Sequence, residues 1–260
     1  MNQPKTVLIT GASAGIGRAL ADCFAAAGYA LVLTARRTET LQELSHQLEH
    51  KYAAKCQVIG LDLARPAAAQ ELFGECSARG LAIDVLVNNA GFGLNEKFMS
   101  AELDRQLQMV QLNVTALVQL THLFLPAMLN RGRGGVLNVA STAAFQPGPY
   151  MAVYYASKAF VLSFSEALAV ELAKTPLTVS CLCPGPTATE FQQTAKMRST
   201  TILRLLGNQS AERVARCGFE GFQRGKLLIV PGAMNRLGIA VSRLLPRRGV
   251  RQLIASVNKK

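Results

Sequence analysis

Short β-branched or apolar runs alternate along this chain with stretches whose apolar residues recur at helical spacing. The strand-like runs fall at 6–10, 30–34, 57–61, 85–88, 135–140, 178–183 and 227–230. Helical patterns lie between them near 15–27, 38–53, 67–79, 101–129, 153–173 and 211–223. Strands alternating with helices of this length build βαβ units, and βαβ units build a parallel sheet covered on both faces. The expected fold is therefore α/β, a doubly wound parallel sheet of about seven strands in a single domain. Pro66 suits the first turn of a helix and Pro176 stops one. Pro184-Gly185-Pro186 ends a strand abruptly, where a ligand-facing loop would begin.

Segment 153–173 departs from the usual one-sided pattern. Val153, Ala156, Phe160, Phe164, Leu168 and Val170, among others, spread apolar surface over nearly every face. A helix of that kind is buried on more than one side, one against the sheet and the other against a second subunit.

Composition narrows the class. Half of the 260 residues are hydrophobic, enough for a large core. No run reaches the roughly 18 clean apolar residues of a membrane span, and the start shows no secretory pattern. Segment 113–129 is interrupted by Thr115, Gln119, Thr121, His122 and Pro126, so a core or interface helix is expected there. Six cysteines without CxxC spacing and only three histidines give no metal site and no disulfide framework. Cys181 and Cys183 should share one face of a strand as buried thiols. A reducing cytoplasm is the expected compartment.

The charge is uneven. Residues 1–189 carry 14 Lys+Arg against 13 Asp+Glu, and residues 190–260 carry 14 against 3. The excess of +11 in the last 71 residues asks for an anionic partner or a membrane surface.

The chemistry-bearing residues sit where strands end. The first strand runs into Thr10-Gly11-Ala12-Ser13-Ala14-Gly15-Ile16-Gly17 and then a helix. Glycines there allow a tight turn and let the backbone approach a pyrophosphate at a helix N-terminus. A glycine-rich turn without a ligand is the plainer alternative. After the second strand stand Arg36 and Arg37, with no carboxylate from 23 to 38. A site reading a ribose 2′-hydroxyl wants a carboxylate here, and a basic residue suits a 2′-phosphate. Ser13 could add a hydroxyl, and a solvated arginine pair is the alternative. Asp62 could accept from an adenine amino group or cap the next helix. Asn88-Asn89-Ala90-Gly91 follows the fourth strand, where small residues allow close approach of a cofactor.

Ser141 ends the fifth strand, and Tyr154-Tyr155-Ala156-Ser157-Lys158 opens the long helix. Tyr154 and Lys158, four apart, share a helix face. Carbonyl reduction needs a proton donor beside the hydride acceptor, and a phenol serves only if cations stabilise its phenolate. Tyr155, three residues before Lys158, is a rival by geometry alone.

Taken together, these segments resemble the short-chain dehydrogenase/reductase family, a Rossmann-fold family of the Tyr-xxx-Lys type. Thr10–Gly17 looks like its cofactor turn, Asn88–Gly91 like its Asn-Asn-Ala-Gly segment, and Pro184-Gly185 like its motif after the sixth strand. The match spans about residues 5–232. The resemblance implies an NADP(H)-dependent oxidoreductase moving a hydride between nicotinamide and a carbonyl or secondary alcohol. It implies Asn113, Ser141, Tyr154 and Lys158 as the catalytic tetrad, and it selects Tyr154 over Tyr155 as general acid/base. Ser141 would orient the substrate. Lys158 would bind the nicotinamide ribose and depress the tyrosine pKa, and Asn113 would hold a relay water. Gly11, Ser13, Gly15, Ile16, Gly17, Arg36, Asp62, Asn89, Lys158, Pro184, Thr187 and Thr189 would contact the cofactor. Ala14 departs from the pattern of many NADP-preferring members, which carry a second basic residue there, so preference for NADP rather than exclusion of NAD is expected. Members are usually homodimers or homotetramers.

Residues 1–232 are expected to form the catalytic unit, with a substrate lid at about 187–210 that mixes Phe191, Met197, Ile202 and Leu203 with Lys196, Arg198 and Arg204. That mixture fits a lipid-like or acyl-thioester ketone, with steroid- or sugar-type alcohols as the competing substrates. Residues 233–260 form a basic amphipathic extension, which could lie on anionic lipid or pack on the domain with its charges outward. A non-catalytic NADP(H)-binding sensor would not need the tetrad. Nucleic-acid binding is not expected, since few aromatics accompany the charge.

Overall fold

The computed structural model describes residues 4–188 and 209–259. Seven parallel strands form one sheet in the order β3-β2-β1-β4-β5-β6-β9. They are β1 (Thr6–Thr10), β2 (Ala30–Ala35), β3 (Cys56–Gly60), β4 (Val85–Asn88), β5 (Gly135–Val139), β6 (Thr178–Leu182) and β9 (Leu228–Ile229). Two short strands, β7 (Thr187–Ala188) and β8 (Gln209–Ser210), pair in parallel beside it. The central strands are buried on both faces, which is why they read as unbroken apolar runs. Along β1, Val7 and Ile9 join one core while Leu8 joins the other. Leu31 and Leu33 against Val32 in β2, and Val85 and Val87 against Leu86 in β4, repeat the alternation.

One face is covered by α1 (Gly15–Ala26), α2 (Thr38–Tyr52) and α7 (Ala211–Gln223); the packing of α1 on α7 centres on Phe24, edge-on to Phe219 at 4.9 Å. The other face is covered by α3 (Ala68–Ala78), α5 (Ala116–Arg131) and α6 (Ala152–Glu171). Because β1 pairs with both β2 and β4, the chain reverses its winding beside the end of β1, and in open α/β sheets that crevice is where ligands bind.

The helix expected over 101–129 runs from Leu103 to Arg131 and is widened within. Helix α4 (Leu103–Val110) passes into a π turn at Gln111–Thr115 and then into α5. The wider turn turns Asn113 inward, to 1 % exposure, where Phe92 and Ser157 hold its amide. Leu103–Arg131 is long and apolar enough to cross a membrane, yet Ala116, Leu120, Phe124 and Met128 are spent on the core of this sheet.

The basic extension folds into two helices, α8 (Ala233–Leu244) and α9 (Arg247–Asn258). Val250, Ile254 and Asn258 of α9 are buried.

Candidate active site

The crevice at the strand C-termini is a cavity of about 880 Å³. Its floor is built by the turn after β1. Thr10 Oγ1 donates to the Val87 carbonyl and accepts from the amides of Asn89 and Ala90. Asn89 Nδ2 donates to the carbonyls of Thr10 at 2.8 Å and Gly11 at 3.1 Å. These bonds clamp β4 to the turn. Gly11 has φ 65°, and a Cβ on Gly17 would stand 2.3 Å from the Gly11 oxygen, so the close approach of helix to turn requires glycine. Helix α1 begins there with no acidic residue in its first turn, which leaves its positive end facing the cleft.

Arg36 and Arg37 both line this end, with Ser13. Arg37 Nη2 donates to Ser13 Oγ at 3.4 Å, so the second arginine of the pair reaches the turn itself. Asp62 also lines the cleft; its Oδ1 accepts from the Ala64 amide and shapes a tight turn, not the start of α3 six residues later.

At the other end, β5 delivers Ser141 and the first turn of α6 delivers Tyr154. Ser141 Oγ accepts from the Ala143 amide at 3.1 Å and faces the Pro184 carbonyl at 3.4 Å, which fixes the hydroxyl at the head of a 3₁₀ turn, Thr142–Phe145. Ser141 and Tyr154 both line the cavity, close enough for the serine hydroxyl to act on the phenol. One turn on, Lys158 is 6 % exposed, donates Nζ to the Val139 carbonyl at 2.9 Å and lies 5.9 Å from the Tyr154 ring centroid. Tyr155 also lines the cavity, but its Oη accepts from Asn258 Nδ2 at 3.3 Å. The structure thus separates two neighbours that helix geometry left equivalent.

Burial dominates the protonation of this cluster. It pushes the Tyr154 phenol well above its usual value, against the lowering effect of Ser141. It pulls the Lys158 ammonium down to about 8, against the Cys181 and Cys183 sulfurs beneath it. Burial, rather than a neighbouring charge, sets the direction of the Tyr154 shift. A protonated phenol results, which is the form a proton donor needs.

Asn113 stands behind the cleft wall. Its Oδ1 accepts from the Phe92 amide, and its Nδ2 donates to the Phe92 carbonyl and to Ser157 Oγ at 3.0 Å. Both amide protons are thereby used, and the side chain braces the Phe92 loop against α6.

The far wall comes from the extension, which the sequence did not place. Asn258 Nδ2 donates to the Pro149 carbonyl at 3.0 Å and to Tyr155 Oη at 3.3 Å. Met234, Ile239, Val250, Ile254 and Val257 of α8 and α9 face the cavity.

The cleft thus gathers Gly11, Ser13, Gly15, Ile16, Arg36, Asp62, Asn89, Ser141, Tyr154, Lys158, Pro184 and Thr187. Gly17 and Asn113 support it from behind. Thr187 Oγ1 donates to the Gly185 carbonyl. Thr189 and nearly all of the expected lid lie outside the described residues.

A model of the short chain dehydrogenase family matches residues 5–199. The chain is 37 % identical to sulfoacetaldehyde reductase 2 of Chromohalobacter salexigens over 207 residues, which is 79 % of this chain and 78 % of that one. Its structure is similar to a short-chain dehydrogenase from Sphingobium yanoikuyae in complex with NADPH, with TM-score 0.83, 30 % identity and coverage of 97 % and 95 % of the two chains. It is also similar to a family member from Burkholderia phymatum in complex with NAD, with TM-score 0.82, 25 % identity and coverage of 93 % and 94 %. The chain belongs to the short-chain dehydrogenase/reductase family and is an oxidoreductase.

Proposed function

We propose that this protein is an NADP(H)-dependent carbonyl reductase acting on an apolar ketone or aldehyde, with Tyr154 as the general acid/base. The observation that carries the reading is the convergence of Ser141, Tyr154 and Lys158 in the same cavity as the glycine turn and two arginines.

The cofactor end fits a phosphorylated dinucleotide: the Gly11–Gly17 approach leaves room for a pyrophosphate, and Arg36 with Arg37 offers planar, bidentate donors to a 2′-phosphate. NADP(H), when bound, supplies or accepts the hydride. Ser141 holds the substrate oxygen. Tyr154 Oη, kept protonated by burial, gives its proton to that oxygen as the carbonyl is reduced. Lys158 would hold the nicotinamide ribose and supply a positive charge near the Tyr154 ring. Asn113 fixes the Phe92 loop and holds a relay water through its main chain. Thr187 and Pro184, which line the same cavity, would contact the nicotinamide end of the cofactor.

The walls from α8 and α9 are mainly apolar, with Met234, Ile239, Val250, Ile254 and Val257 outnumbering Asn235, Ser242 and Asn258, and this balance favours a lipid-like substrate over a sugar. Phe160 and Val170 on the outer face of α6 remain exposed, which supports a homodimer or homotetramer built on that helix. The unpaired cysteines suit the cytoplasm.

The test is NADPH oxidation with a panel of medium- and long-chain ketones and aldehydes. Tyr154→Phe should lose at least about a thousandfold in turnover while binding NADPH as the parent does. Near-normal turnover would overturn the catalytic assignment.

A further inference from the structure

The extension has a second face. On α8, Leu237, Val241 and Leu244 stand at i, i+4 and i+7, one stripe pointing to solvent, with Leu244 86 % and Leu237 55 % exposed. Around the stripe are Arg236, Arg243, Arg247, Arg248 and Arg251, all exposed, with Arg243 over the Phe145 ring at 5.6 Å. Residues 233–259 contain six Lys or Arg and no Asp or Glu. Among the described residues none of these five arginines is paired with a carboxylate.

The stripe adjoins the mouth of the cavity. Met234, Val241, Leu245 and Leu253 line the cavity and are also exposed, so they form its rim. The entrance to the site is therefore an apolar rim continuous with an apolar helix face and bordered by unpaired cations. A water-soluble substrate gains nothing from such an entrance.

We propose that α8 and the start of α9 are a docking surface for an anionic lipid bilayer, and that the substrate cavity opens onto it. An interfacial helix needs apolar side chains reaching the acyl boundary and arginines at headgroup level, and this pair of helices supplies both. An acidic protein would satisfy the arginines and leave the leucine stripe in water, so the bilayer is the better match. The docking stands on the surface alone. That a membrane-dissolved carbonyl compound enters through the rim rests on the reductase reading.

The full chain is floated with phosphatidylcholine vesicles, with and without phosphatidylglycerol. It should float with the anionic vesicles and stay in solution with the neutral ones. Arg247→Glu/Arg248→Glu/Arg251→Glu should reduce flotation roughly tenfold or more. The chain has no tryptophan, so Leu244→Trp provides a single reporter whose emission should shift to the blue on anionic vesicles. NADPH binding, unchanged in both variants, reports that they are folded and tests the reductase reading separately. Failure to float, flotation without a blue shift, or retention by a soluble acidic protein in place of vesicles would each overturn the docking proposal. Flotation without NADPH binding would leave the docking intact and remove the substrate's route.

Discussion

Asn258 Nδ2 lies 3.3 Å from Tyr155 Oη, so the last turn of the chain is tied to the residue that follows the proposed proton donor. A second bond from the same amide reaches the Pro149 carbonyl. The two bonds hold α9 across the cavity and define its far wall. Asn258→Ala removes both, each worth about 0.5–1.5 kcal/mol. The expected result is faster amide hydrogen exchange through 247–258 and weaker binding of apolar ketones, with NADPH affinity unchanged. Unaltered exchange in that segment would contradict the tie.

Gly17→Ala places a methyl group 2.3 Å from the Gly11 oxygen, and backbone cannot yield as a flexible side chain would. The turn must open at a cost of about 1–3 kcal/mol. NADPH affinity should fall by at least about tenfold, since 1.4 kcal/mol is a factor of ten. A titration of the variant with NADPH checks this, and parent-like affinity would mean the turn does not hold the pyrophosphate.

Lys158 gives the site a pH limit. Its ammonium, lowered to about 8 by burial, is charged below that pH and neutral above it. Reduction measured as kcat/KM should hold steady up to about pH 8 and decline beyond it, while the phenol stays protonated throughout. Stability moves the other way. Between pH 8 and the ordinary lysine value of 10.5 the unfolded chain binds the proton that the native chain has released, so this residue's contribution to stability rises with pH. A kcat/KM profile flat to pH 10 would show that the charge on Lys158 is not required.

Much of this architecture was legible because buried parallel strands read as short apolar runs. Thr6–Thr10 and Val85–Asn88 match the expected bounds, and the other five strands of the main sheet share most of their residues with the expected runs. The candidate site residues stand mostly at strand ends and helix starts, which the alternation locates, while the choice of Asn113, Ser141, Tyr154 and Lys158 as a set rests on the family resemblance. What escaped depends on distant partners. The π turn at Asn113 is fixed by Phe92 and Ser157, 21 and 44 residues away, and nothing in the local pattern marks it. The return of α9 hangs on an asparagine 103 residues from its tyrosine. Amphipathicity in 233–260 indicated a surface helix but not the break at Pro246 that makes two. Arg37 was visible beside Arg36, yet only the fold shows which guanidinium reaches Ser13.

The central claim, an NADP(H) site read by two arginines, is tested most directly by titrating the parent and Arg36→Asp/Arg37→Asp proteins with NADPH and NADH and following nicotinamide fluorescence. The parent should bind NADPH about tenfold or more tighter than NADH, and the double variant should reverse that order. Equal affinities in the parent, or an unchanged preference in the variant, would contradict the assignment of the 2′-phosphate to this pair.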